Sequence, residues 1–262
     1  MTHLREMRLI CVVLAMCGVG SELACGQVWV DHQKTESLEV FSEFRVDVDG
    51  IVKELQAVQR EVQTLLELSG DNQNVQLILF KSPASYRAYL SSRIPEGLKR
   101  RAIFYKHGGL FQIYAYRHAE LTVDLRHEYT HALLHQSLPY VPLWIDEGLA
   151  EFMEERPETR EKSSRLAGMK WRCRSGWQPK LERLEQIPAA SAMTAAHYRD
   201  SWAWVHYLMN DSTDTRLMLK DYLQAISAGE APGAFSEWAV QRETEVVKRI
   251  GSYFRRFRIS LR

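Results

Sequence analysis

Apolar positions along this chain change their spacing as the chain proceeds. Residues 31–48 alternate, through Val40, Phe41, Phe44, Val46 and Val48, which predicts one or two strands. Residues 51–68 switch to a helical stripe at Ile51, Leu55, Val58, Val62, Leu65 and Leu66, and Gly70-Asp71-Asn72 stops it. Residues 75–80 form a compact apolar strand, and Ser82-Pro83 opens a short helix to about residue 90. Residues 101–105 and 110–116 read as strands around Lys106-His107-Gly108-Gly109, a hairpin. A helix follows over about 119–136. Pro139 and Pro142 then force a loop, and residues 143–154 read as the next helix. Residues 155–188 show no clear period and predict an irregular connection. From Ala189 the chain is mainly helical, at 198–209, at 215–227 and from 234 to the end. An α/β portion followed by helices predicts an α+β fold in two lobes, 27–136 and 137–262.

Composition adds bounds. The 262 residues, 45% hydrophobic and 26% charged, suit a protein with a sizeable core. A formal charge of +1 gives no whole-chain reason to expect nucleic acid as a partner. After the first two dozen residues no stretch approaches the roughly 18 apolar residues of a membrane span. The start differs: Arg5 and Arg8 precede an apolar run over residues 9–20, and Ala24-Cys25-Gly26 offers small residues for cleavage. That order describes a secretory signal over 1–26 and predicts a secreted or periplasmic, cell-envelope location. Glu22 before Cys25, and Leu14-Ala15-Met16 before Cys17, fit a lipoprotein signal less well. Cleavage would leave Cys173 alone and exclude an internal disulfide.

The candidate chemistry lies in His127-Glu128-Tyr129-Thr130-His131. Two histidines four apart on a helix stand about 40° apart around the axis and about 6 Å along it, so both imidazoles face one point. They can hold a zinc ion through neutral nitrogens at about 2.0–2.1 Å. Glu128, beside the first ligand, is angled to accept a proton from water that the ion activates. A catalytic zinc needs a third protein ligand and an open fourth position. After the proline loop the chain reads Trp144-Ile145-Asp146-Glu147-Gly148-Leu149-Ala150-Glu151-Phe152, and an antiparallel helix there can bring Glu147 back over the histidines.

The two strings together resemble the gluzincin zinc metallopeptidases, in which HExxH is followed after a spacer by a ligating Glu. The aminopeptidase-N-like branch carries that Glu in a Trp-Leu-x-Glu-Gly-x-Ala run. Thermolysin-like domains and bacterial secreted gluzincins are similar, the latter also in size. The resemblance covers about residues 110–209, and the 15-residue spacer is shorter than in the aminopeptidases. It implies a zincin-like fold with a small mixed sheet, a zinc cofactor held by His127, His131 and Glu147, and hydrolysis of a peptide or protein substrate with Glu128 as general base. Glu151, one turn after Glu147, is expected to receive a ring N–H of a ligating His, the role of a thermolysin-like carboxylate at that offset. The resemblance also implies that Tyr198, opening Tyr198-Arg199-Asp200-Ser201 51 residues after Glu147, donates to the oxyanion. His197 could exchange roles with it, and His206 and Tyr207 are weaker candidates. The aminopeptidase Gly-x-Met-x-Asn motif is absent, so endo- and exopeptidase action both stay open.

The remaining features carry blander expectations. His135 is a rim or packing residue, because three histidines over eight residues rise about 12 Å and cannot close one site. Asp146 reads as a helix N-terminal residue and Asp124 as surface. Trp171, Arg172, Cys173, Arg174 and Trp177 suggest a loop pinned by aromatics more than a lid, and the basic stretch from Lys248 a terminal helix packed by its aromatic side. Two other functions stay in view: a catalytically silent metal-binding surface or assembly protein, and a zinc hydrolase of a non-peptide bond. Glu128 argues against the first, since holding a metal needs only ligands.

Overall fold

Alternating apolar residues assemble a five-stranded sheet from β1 (Asp31–Lys34), β2 (Leu38–Ser42), β3 (Val75–Phe80), β4 (Ala102–His107) and β5 (Leu110–Tyr116). The structure, a computed structural model, describes residues 28–68, 73–178 and 180–257; the signal-like segment 1–26 and the helix stop at 70–72 lie outside them. The strand order is β1-β2-β3-β5-β4, with β2, β3 and β5 parallel and the outer strands antiparallel to their neighbours. Parallel neighbours need crossovers. The first is α1 (Val48–Leu66), capped by Asp47, whose carboxylate accepts the Gly50 N–H at 3.0 Å. The second contains α2 (Pro83–Leu90), with Ser82 as N-cap. The chain then turns from β4 to β5 at Gly108 and Gly109, whose φ of 56° and 81° suit the primed hairpin turn that only glycine adopts cheaply.

Side-chain alternation decides what each face of the sheet covers. Val40, Leu77, Leu79, Ile113 and Ala115 pack toward α1 and toward α3 (Leu121–Ser137), while Phe41, Ile78, Phe80 and Tyr114 form a smaller cluster with α2. Helix α3 leaves the sheet from β5 and is buried along most of its middle, so it shows no clean apolar stripe. The loop after it returns the chain as α4 (Leu143–Met153).

Residues 155–188 depart from expectation. They contain α5 (Pro157–Arg160), α6 (Ser164–Arg174) and α7 (Leu181–Glu185). Helix α6 buries only Leu166, Met169 and Cys173, a helical spacing hidden among polar residues, and Ser163 caps it. Cys173 and its neighbours therefore belong to a packed helix rather than a loop or lid, with Trp171 turned outward at 64% exposure. The later helices are α8 (Ala195–Asn210), α9 (Thr213–Ser227), α10 (Phe235–Arg242) and α11 (Val246–Arg256). The expected single helix from 234 is broken at Glu243, whose backbone is extended. Helix α11 buries Ile250, Tyr253 and Phe254, so its aromatic side packs inward. One apolar cluster runs from β2 through α3, α4 and α8 to α11. The chain is thus α+β, and no helix among the described residues is long and apolar enough to cross a membrane.

Candidate metal centre

Helix α3 presents His127 and His131 toward α4, and α4 presents Glu147 toward them. Their ligand atoms converge: His127 Nε2 lies 3.2 Å from His131 Nε2, and Glu147 Oε2 lies 3.6 Å and 3.7 Å from the two. A tetrahedral ion with bonds of about 2.0–2.2 Å separates its ligand atoms by about 3.3–3.6 Å. The triangle has that size.

The back of each imidazole sets its tautomer. His131 Nδ1 meets Asp146 Oδ1 at 2.7 Å, and His127 Nδ1 meets Glu154 Oε1 at 2.9 Å. An ionised carboxylate only accepts, so each Nδ1 carries the hydrogen and each Nε2 of a neutral ring offers a lone pair. Burial opposes ionisation of both carboxyls, but His131 and His135 hold Asp146 far below the usual range, and His127 with Arg165 holds Glu154 below it. Glu147 is 4% exposed and its Oε2 has no hydrogen-bond partner. Burial is again opposed, here by His127 and His131, and its pKa is lowered. Three acceptor atoms thus face one another without a hydrogen between them. Such a group needs a cation or a captured proton. The pKa of His127 expresses the same demand: burial pulls it down, yet the facing Glu147 carboxylate and the Glu154 carboxylate bonded to its Nδ1 leave it well above the ordinary value. Two imidazoles and a carboxylate suit zinc. The donor set fits the metal that the sequence implies.

The expected partner of the His ring is corrected by one turn. Glu154, not Glu151, receives Nδ1 of His127, because Glu151 turns toward Arg165 at 2.7 Å. Arg165, from α6, also pairs with Glu154 at 2.6 Å. A Glu151 oxygen stays within 4.8 Å of His127 and Glu154 ligand atoms, so it neighbours the site without buttressing the ring. Asp146 does more than start a helix: it orients His131 and also accepts from His135 at 3.1 Å. His135 stacks on Phe104 with ring centroids 5.6 Å apart, in keeping with a rim position outside the converging atoms. Asp124 is not a surface residue; its side chain is 13% exposed and meets Arg101 at 2.7 Å and His118 at 3.0 Å.

Glu128 is 6% exposed, and its Oε2 accepts the Phe104 N–H at 2.7 Å. Phe104 lies in β4, an edge strand, so that amide points off the sheet to the motif helix. Tyr198 begins the second turn region of α8, where Arg100 Nη2 donates to its Oη at 3.4 Å. Burial and then the Glu147 charge raise the Tyr198 pKa, partly offset by Arg100. Helix α8 reaches the site because Gly148 lets it. A Cβ there would stand 2.7 Å from the Ser201 carbonyl oxygen and 2.7 Å from Val205 Cγ2. His197 does not exchange with Tyr198: its Nδ1 accepts the Thr194 N–H at 3.2 Å and closes the capping box of α8. His206 and Tyr207 are buried elsewhere, bonded to Tyr253 at 2.8 Å and to the Val246 carbonyl at 2.9 Å. Sequence reasoning missed Glu154, Arg100 and the orienting role of Asp146.

In comparisons with known proteins, no family model and no curated protein matches this chain.

Proposed function

We propose that this chain is a zinc-dependent peptidase of the zincin type, with His127, His131 and Glu147 as ligands and Glu128 as general base. The convergence of two Nε2 lone pairs with a buried, partnerless Glu147 oxygen carries this reading. A zinc ion would supply a Lewis acid that polarises a carbonyl and brings the pKa of water to about 7.

The chain's own residues do the rest. Asp146 and Glu154 fix the ring tautomers and keep the ligating lone pairs forward. Glu128 is anchored by one oxygen on the Phe104 amide, and its other oxygen is available to take the proton of the attacking water and deliver it to the leaving amine. Tyr198 is kept protonated by its raised pKa and so serves as a donor toward the oxyanion. Strand β4 ends the sheet beside Glu128; its Phe104 N–H is taken by Glu128, and an extended peptide can add along the rest of that edge. The signal-like start supports a secreted or periplasmic place for this activity.

Metal content and peptide hydrolysis test this together. The purified protein is expected to carry about one zinc per chain, to lose hydrolysis of a mixed peptide library on chelation, and to regain it with added zinc. Protein without stoichiometric divalent metal, or hydrolysis that survives chelation, overturns the proposal.

A further inference from the structure

Guanidiniums around the motif helix are matched to carboxylates. Arg126 meets Glu54 at 2.7 Å, Arg160 meets Glu61 at 2.6 Å, Arg165 meets Glu151 at 2.7 Å, and Arg101 meets Asp124 at 2.7 Å. Arg100 differs. It is half-buried, stands just before the edge strand β4, and has no ion pair among the described residues. Its one side-chain hydrogen bond among the described residues is the 3.4 Å donation to Tyr198, from the turn before β4 across to α8. A guanidinium carries five N–H donors in a planar fork suited to a carboxylate. Tyr198 takes one, at long range. None of its nitrogens is both buried and without a partner, so the remaining donors are open to solvent and to an anion that reaches them. Glu128 and Glu147 favour its charge from a distance without pairing with it. Arg100 therefore stands within electrostatic reach of the candidate base and the third ligand, with room in its bonding for a carboxylate that the chain does not supply.

We propose that Arg100 recognises a carboxylate of the substrate, and so directs this site to anionic peptides. This rests on the peptidase reading and deepens it. The carboxylate can be a peptide's C-terminal group or an Asp or Glu side chain near the scissile bond; both present the same two oxygens to the fork. Because Arg100 also touches Tyr198, an anion bound there lies beside the candidate oxyanion donor. Recognition at this position thus bears on binding and on orientation together.

Two measurements on the full chain separate the possibilities. Binding is measured by calorimetry on zinc-loaded Glu128→Gln protein with matched peptides, free acid against C-terminal amide and Asp against Asn. Turnover of the same peptides is measured on zinc-loaded protein with Glu128 intact. The preference for the carboxylate form is expected to be tenfold or more in Kd and in kcat/KM, and the peptide pair that shows it identifies the source. Arg100→Gln should bring the acid-to-neutral ratio close to one, and Arg100→Lys should keep part of it. Zinc content and circular dichroism of the variants report that they are folded. Equal handling of both forms by the unsubstituted enzyme, failure to bind either form, or an Arg100→Gln ratio still near ten overturns the proposal. A carboxylate preference in binding without any hydrolysis would uphold Arg100 and sink the peptidase reading. Hydrolysis without the preference would do the reverse.

Discussion

At the scale of single residues, Gly148 controls how closely two helices of the candidate site approach, and His206 how stability depends on pH. Gly148 follows the candidate third ligand directly and lets the backbone of α8 close on α4. Gly148→Ala would push Cβ into the Ser201 carbonyl, which belongs to a helix backbone and cannot swing away. We expect a loss of about 1–3 kcal/mol in urea unfolding of zinc-free protein, the range of overpacked cores. An unchanged midpoint would mean that the helices separate freely. His206 makes a different prediction, on pH. Burial, and then the Arg160 charge, push its imidazole down to about 3 from 6.5. The folded pKa is depressed, so the unfolded chain takes up this proton first. Stability from the neutral ring is complete above about pH 6.5 and is lost as pH falls from there toward 3, at up to about 1.4 kcal/mol per pH unit. Unfolding measured between pH 7 and 4.5 should therefore fall off more steeply for the native sequence than for His206→Gln. Parallel slopes would contradict the assignment.

At the scale of elements, the site is a crossing of α3 and α4, with α6 and α8 supporting it. Asp146→Asn and Glu154→Gln should each weaken zinc binding by about 10- to 100-fold in competition titrations, the cost of an unsupported ligating His. Glu151→Gln should weaken it much less, because its carboxylate pairs with Arg165. If Glu151→Gln proved the most damaging of the three, the geometry at His127 would be wrong. This comparison also marks what was legible in the sequence. His127, Glu128 and His131 are tied by helical spacing, and the proline loop brings Glu147 back within a short span, so the converging atoms follow from local rules. The strands, the glycine turn and the start of α2 at Ser82-Pro83 follow similarly, whereas α1 begins three residues before its apolar stripe, at the Asp47 cap. Glu151 and Glu154 lie three apart on one helix face, and choosing between them depends on ring rotation and on Arg165. That arginine comes from α6, whose sparse apolar positions conceal a helix. Arg100 was hidden for a related reason: it lies in no motif itself, and its contact with Tyr198 spans 98 residues.

At the scale of the whole molecule, the candidate ligands join the sheet-bearing portion to the helical portion through α3 and α4, and one apolar cluster passes through both. Zinc bound only by the folded state should raise stability by RT ln(1 + [Zn]/Kd), about 4 kcal/mol at a thousandfold excess over Kd. Thermal unfolding with and without chelator measures this. The proposed chemistry makes Glu128, anchored by the Phe104 amide beside the candidate metal triangle, the proton acceptor. Its most direct test compares the native sequence with Glu128→Gln at equal zinc content, by hydrolysis of a mixed peptide library. One zinc per chain is expected in both proteins, with a fall of about 10²–10⁴ in kcat/KM for the variant. Equal hydrolysis by the two zinc-loaded proteins would contradict it.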